Sequence, residues 1–195
     1  MSDGDVAAAA DAVRRGELVV YPTETVYGLG ADATDPDAVE RVYAAKGRDR
    51  DDPISLAVPD VEMALTYTRP TERERRFMRE FLPGPVTVVV ERRANVPNEL
   101  TAGGDRVGVR IPDHPVALEL LQAVAPLTAT SANVSGSPSA RTVAELDAIR
   151  DRVAVVLDGG ETGGTGSTVV DVEAGTVHRR GADADAVEQW LAEAE

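Results

Sequence analysis

Strand-length apolar runs and amphipathic segments alternate along this whole chain, and proline or glycine cuts most of them off. Leu18–Tyr21 runs into Pro22, Asp37–Ala45 is entered through Asp35-Pro36, and Glu72–Phe81 stops at Leu82-Pro83-Gly84-Pro85. Apolar positions at Ala38, Val39, Val42 and Ala45 fall on one helical face. The same reading predicts helices over Val6–Arg15, Asp37–Ala45, Glu72–Phe81, Pro115–Val124, Val143–Arg150 and Asp185–Ala194. It predicts strands over Leu18–Tyr21, Ile54–Val58, Val86–Glu91, Val107–Ile111, Leu127–Ala129, Val153–Leu157, Thr168–Val172 and Val177–Arg179. Helices and strands interspersed in this way predict an α/β protein, and several hairpins make its sheet mixed. With 195 residues, no internal repeat and no linker-like stretch, a single domain over 1–195 is expected.

Charge narrows the function classes. The chain holds 34 acidic against 20 basic residues, a net charge of −14. A shell so acidic fits a halophilic cytoplasm, where dense carboxylates keep a protein in solution. It argues against a general polyanion-binding surface, so any contact with nucleic acid has to be local. Cysteine is absent, which excludes disulfides, thiolate nucleophiles and cysteine-held metals. The two histidines, His114 and His178, match no metal-ligand spacing. No signal peptide is evident, and no run approaches the roughly 18 apolar residues of a membrane span. A cytoplasmic protein with no membrane contact is expected.

Of the 20 basic residues only Lys46 is a lysine, in Ala44-Ala45-Lys46-Gly47-Arg48-Asp49-Arg50. An ammonium is a compact point charge where a guanidinium is a planar fork, and the two approach a phosphate oxygen differently. At a helix end Lys46 reads as a surface charge, whose removal seldom changes stability by more than about 0.5 kcal/mol.

Four polar, turn-rich loops follow strands or helix ends, where open α/β sheets bind ligands. They are Tyr21–Ala31 with Thr23, Glu24 and Thr25; Lys46–Arg50; Thr128–Gly136 with Ser131 and Asn133; and the glycine-rich Gly159–Thr168. The last lacks the Gly-Lys-Ser/Thr of a phosphate loop and is expected to be mobile. Taken singly, each also reads as ordinary turn and capping chemistry.

In order along the chain, however, six motifs stand together: Tyr21-Pro-Thr-Glu-Thr-Val-Tyr-Gly-Leu-Gly, Lys46-Gly-Arg48, Pro83-Gly-Pro-Val-Thr87, Val109-Arg110-Ile-Pro112, Thr130-Ser131-Ala-Asn133-Val-Ser-Gly and Ser167-Thr168-Val-Val-Asp171. Over about 18–181 they closely resemble the YrdC-like family of threonylcarbamoyl-AMP synthases, in its short form without an additional carboxy-terminal domain. The resemblance implies an open, twisted, mostly parallel or mixed sheet with a large concave groove. It implies a nucleotidyltransferase that makes L-threonylcarbamoyl-adenylate from L-threonine, bicarbonate and ATP for a downstream tRNA threonylcarbamoyltransferase complex. By motif, Lys46 and Arg48 are the catalytic cations on the triphosphate, and Ser131, Asn133 and Arg179 also face ATP. Thr23, Arg110, Ser167 and Thr87 face threonine and bicarbonate. Mg²⁺ is expected with the ATP, with no protein ligand assigned. Three departures stand out: Asp49 follows Lys-x-Arg where the family usually has proline, Asp52-Pro53-Ile54 replaces Asn- or His-Pro-Leu, and His178-Arg179-Arg180-Gly181 stands where Arg-Pro-Gly is usual. A non-catalytic RNA-binding module with this fold, or a paralogue with another role, is the alternative, although low aromatic content speaks against the RNA-binding form.

Overall fold

The computed structural model describes residues 3–193. Its elements are α1 (Asp3–Arg14), β1 (Val19–Tyr21), β2 (Gly28–Gly30), α2 (Pro36–Lys46), β3 (Ser55–Ala57), α3 (Val61–Tyr67), α4 (Glu72–Phe81), β4 (Val86–Glu91), α5 (Asn98–Thr101), β5 (Arg106–Arg110), α6 (Pro115–Val124), β6 (Leu127–Ser131), α7 (Asp147–Arg150), β7 (Val155–Val156), β8 (Thr168–Asp171), β9 (Thr176–Arg179) and α8 (Ala184–Glu193). Local chemistry explains the main boundaries. Asp35 accepts from the Asp37 amide and Pro36 opens α2, which Gly47 closes in the left-handed conformation. Thr71 and Glu74 form a reciprocal capping box at the start of α4.

The nine strands form one sheet in the order β7-β1-β2-β6-β3-β5-β4-β8-β9. Three neighbouring pairs, β1–β7, β3–β5 and β4–β8, are parallel and the other five antiparallel. The sheet is therefore mixed, not mostly parallel. Several expected boundaries also move. The predicted helix over Val143–Arg150 is a 3₁₀ turn (Val143–Glu145) and the short α7, broken at Leu146 as that side chain turns into the core. The strand after Leu127 continues to Ser131, because Thr130 and Ser131 pair with Leu29 and Gly28. β2, α3 and α5 were not predicted. The last helix is described over Ala184–Glu193, and Ala194 of the expected helix lies outside the described residues.

Strand alternation decides where the site can be, since successive side chains point to opposite faces of a sheet. On β4 and β5, Val86, Val88, Val90, Val107 and Val109 enter a large core with Val39 and Val42 of α2, Phe77 and Met78 of α4, and Val187 and Leu191 of α8. On the opposite face Val19, Tyr21 and Leu127 join Ala9, Ala12 and Val13 of α1 and Leu120 and Leu121 of α6 in a smaller core. Helices α1 and α6 cover only part of that second face. Over β3, β4, β5 and β8 it remains a groove, floored by Ser55, Thr87, Val89, Gly108, Arg110 and Val169.

Three glycines keep this face closely packed and open at the floor. A Cβ on Gly108 would stand 2.2 Å from Ser55 Oγ and 2.9 Å from Thr87 Cγ2. At Gly28 it would meet the Tyr21 ring at 2.9 Å, and at Gly30 at 3.0 Å, so this ring lies directly over β2.

Candidate functional site

The groove has a volume of about 540 Å³ and gathers seven of the nine residues expected from sequence: Thr23, Arg48, Thr87, Arg110, Ser131, Ser167 and Arg179. They arrive from separate parts of the chain: the β1–β2 loop, the end of α2, and strands β4, β5, β6 and β9 with the residue before β8. Lys46 and Asn133 do not line it.

Arg110 anchors the floor. Its guanidinium donates through Nη1 to the Gly84 carbonyl at 3.1 Å, and through Nη2 to Glu24 Oε1 at 2.8 Å and Thr25 Oγ1 at 3.1 Å. Burial is the largest influence on its pKa and lowers it, and the Glu24 carboxylate opposes that shift. The hydrogen-bond chain beyond it has one sense. Thr23 donates to the Val26 carbonyl at 2.6 Å, so across the 2.9 Å contact between the two hydroxyls Thr25 donates to Thr23. The amides of Thr25 and Val26 donate to Thr23 Oγ1 as well. The Thr23 hydroxyl is thus fully engaged in its own turn.

At the other wall, Thr87 and Ser167 share a hydrogen bond of 3.0 Å, and Arg179 donates to Ser167 Oγ at 2.9 Å and to the Ser167 carbonyl. Burial lowers the Arg179 pKa, and nearby Arg110 and Arg48 lower it further. Arg110 and Arg48 therefore both act on Arg179 across the groove, a setting that favours a nearby negative charge. Arg48 is held by the Asp52 and Pro53 carbonyls at 3.1 Å each. Asp52 lines the groove, whereas Asp49 is spent on its own turn, accepting from the Asp51 amide at 3.0 Å.

Lys46 departs from the expectation of a surface charge. It is 1% exposed, and Nζ donates to the Ser131 carbonyl and, at 2.8 Å, to the Asn133 carbonyl. Desolvation, with a smaller push from Arg48, lowers its pKa from 10.5 to about 8. Replacing it removes a buried group with two acceptors, so the cost to the fold exceeds that of a surface charge. Asn133 turns its Nδ2 to the Val134 and Ser137 carbonyls, and its buried Oδ1 has no partner among the described residues.

The glycine-rich loop is pinned, not free. Gly163 and Gly164 donate to the Glu24 and Thr25 carbonyls, and Tyr27 Oη donates to the Gly160 carbonyl at 2.7 Å. Sequence reasoning missed Arg106, which also lines the groove and is matched by Glu74 at 2.9 Å and Asp171 at 3.1 Å. Its signal was present: Arg106, Gly108 and Arg110 alternate with Val107, Val109 and Ile111. Among the described residues no group of three or more His, Cys, Asp or Glu side chains could cage a metal. No helix there is long and apolar enough to cross a membrane.

Fold and groove together define a mixed α/β sheet protein whose open face is an arginine-lined groove. The chain belongs to the Sua5, YciO and YrdC family, whose model, described as telomere recombination, matches residues 11–181. The threonylcarbamoyl-AMP synthase of Bacillus subtilis is 42% identical over 175 residues, or 87% of this chain and 50% of that protein. That of Pyrococcus abyssi is 41% identical over 168 residues, covering 84% and 49%. The solved structure of P. abyssi Sua5 complexed with L-threonine matches with a TM-score of 0.90 and 36% identity, covering 96% of this chain and 58% of that one. The chain spans about half the length of these two curated relatives.

Proposed function

We propose that this protein forms L-threonylcarbamoyl-adenylate and pyrophosphate from L-threonine, bicarbonate and ATP, in the cytoplasm, for threonylcarbamoyladenosine modification of tRNA. The observation that carries the reading is the groove itself, where seven residues expected from distant motifs line one cavity. The threonine amine condenses with bicarbonate, losing water, to give a carbamate. A carbamate oxygen attacks the α-phosphorus, the bond from that phosphorus to the oxygen bridging to the β-phosphate breaks, and pyrophosphate leaves. Two anions meet in this step, so positioning and charge neutralisation supply the catalysis.

Arg48, Arg179 and Ser131 take the nucleotide, with Lys46 and Asn133 behind the same wall. Arg110 takes the threonine carboxylate, and Thr23, Thr87 and Ser167 border the threonine and bicarbonate. Mg²⁺, if brought in with the ATP, would supply charge shielding for the triphosphate. The residues present fit a metal held mainly by phosphate and water, with Asp52 the one carboxylate lining the groove. The product passes to a tRNA threonylcarbamoyltransferase, and any tRNA contact is confined to the basic groove.

The test is threonine-dependent pyrophosphate release from ATP with bicarbonate in concentrated salt. No release, with RNA binding retained, overturns the reading in favour of a non-catalytic module.

A further inference from the structure

A lysine that faced a phosphate directly would open onto the groove. Lys46 does not: two of its three N–H donors are committed to backbone carbonyls, and it is closed off from solvent. Those carbonyls belong to Ser131 and Asn133, 85 and 87 residues away in sequence. The backbone repeats the tie, because the Ser135 amide donates to the Lys46 carbonyl at 2.8 Å. Two positions on, Gly47 having turned the chain out of α2, Arg48 reaches the groove.

We propose that Lys46 is a positioning residue: its buried ammonium fastens the helix end that carries Arg48 to the strand-end turn that carries Ser131 and Asn133, so that the two anion-facing loops keep one fixed spacing. Arginine is a poor replacement, since a planar fork cannot converge on two carbonyls from one point as an ammonium does. This explains why a chain that otherwise uses only arginine keeps a lysine here. The fastening is a property of the unliganded protein; its consequence for turnover rests on the adenylation reading above.

Hydrogen exchange of the ligand-free protein separates the two. The amides of Ala132, Asn133, Ser135 and Ser137 are each hydrogen-bonded, to the Tyr27, Ser131, Lys46 and Val134 carbonyls, and report on this turn. In Lys46→Met they should exchange at least about tenfold faster, the change expected for one lost charge-assisted hydrogen bond. Arg48→Gln, which also removes a cation from the loop, should leave them unchanged. Since the chain has no cysteine, Lys46→Cys can be aminoethylated uniquely in denaturant and refolded. That restores an ammonium at nearly the native length and should restore slow exchange, even if Lys46→Met fails to fold. In turnover, Lys46→Met should raise KM for ATP and lower kcat with KM for threonine unchanged, and aminoethylation should recover both. Unaltered exchange in Lys46→Met, or fast exchange persisting in the refolded aminoethylated protein, overturns the proposal. Absence of pyrophosphate release from the wild type overturns the adenylation reading and leaves the exchange result standing.

Discussion

Glu24→Gln tests whether Arg110 depends on its carboxylate. The pair is nearly sealed, with side-chain exposures of 7% for Arg110 and 19% for Glu24, and Glu24 is its one carboxylate partner among the described residues. Glutamine keeps an acceptor within reach of Nη2 but removes the charge. It also places an amide N–H₂ where Glu24 Oε2 now lies buried without a partner. Removing one member of a buried ion pair costs about 3–5 kcal/mol, and the remaining exposure of Glu24 places this case near the lower end, about 3 kcal/mol. The assay is urea unfolding at fixed salt, followed by the fluorescence of Trp190, the single tryptophan, whose ring packs edge-on to Phe77 at 4.9 Å. Adding Arg110→Met should recover part of the loss, since an apolar side chain of similar length has no charge left to compensate. A Glu24→Gln protein within about 0.5 kcal/mol of wild type, the range of an ordinary surface change, would refute the reasoning.

Lys46 sets a second expectation, in pH. Its folded pKa of about 8 lies below the unfolded value of 10.5, so between those pH values the unfolded chain binds more protons. Stability from this group therefore rises with pH across that window, by up to about 3 kcal/mol. Buried Tyr21, with its pKa raised by desolvation, acts in the opposite direction above its unfolded value of 10.0. The measurement is thus the difference between wild type and Lys46→Met from pH 7.5 to 10.5; a flat difference contradicts the burial argument. Gly108→Ala forces a methyl against Ser55 and Thr87 and should cost about 1–3 kcal/mol while narrowing the groove. Unfolding at wild-type denaturant concentration would show that the floor yields more easily than its spacing implies.

Much of the fold was legible because the strands flooring the groove alternate. Val107, Val109 and Ile111 mark the core side of β5, so Arg106, Gly108 and Arg110 had to face the other way. What the sequence hid has physical causes. β2 consists of Gly28, Leu29 and Gly30, poor strand formers that pair because the Tyr21 ring fills the space above them. α3 is only seven residues long, with Ala64 its one fully buried side chain and Val61, Met63 and Tyr67 half-buried, and α5 is a single turn. The composition of Lys46-Gly47-Arg48 suited a phosphate, yet it could not show that the ammonium turns inward while the guanidinium turns out. That depends on carbonyls more than 80 residues away, and so does the Glu24–Arg110 pair, 86 residues apart. The glycine-rich loop looked mobile by composition. Its glycines instead let it lie close against Glu24 and Thr25, where a Cβ on Gly163 would stand 2.7 Å from the Glu24 carbonyl oxygen.

Net charge does not decide the sign of the groove, and its arginines are not equivalent. Arg106 is matched by Glu74 and Asp171, and Arg110 by Glu24. Arg48 and Arg179 rest on carbonyl and hydroxyl oxygens, with no carboxylate partner among the described residues. They sit on opposite walls, and each gains from a neutralising anion between them, because Arg48 already depresses the Arg179 pKa. Pyrophosphate, the leaving group of the proposed reaction, should therefore raise the unfolding temperature of the wild type. At a hundred times its dissociation constant the stabilisation is about 2.7 kcal/mol. The Arg48→Met/Arg179→Met double variant should lose this shift, and added salt should weaken it in the wild type as screening grows. Arg106→Met should keep it, since that guanidinium is already spent on two carboxylates. An equal shift in the double variant would place the anion elsewhere and remove the electrostatic basis for assigning these two arginines to the nucleotide.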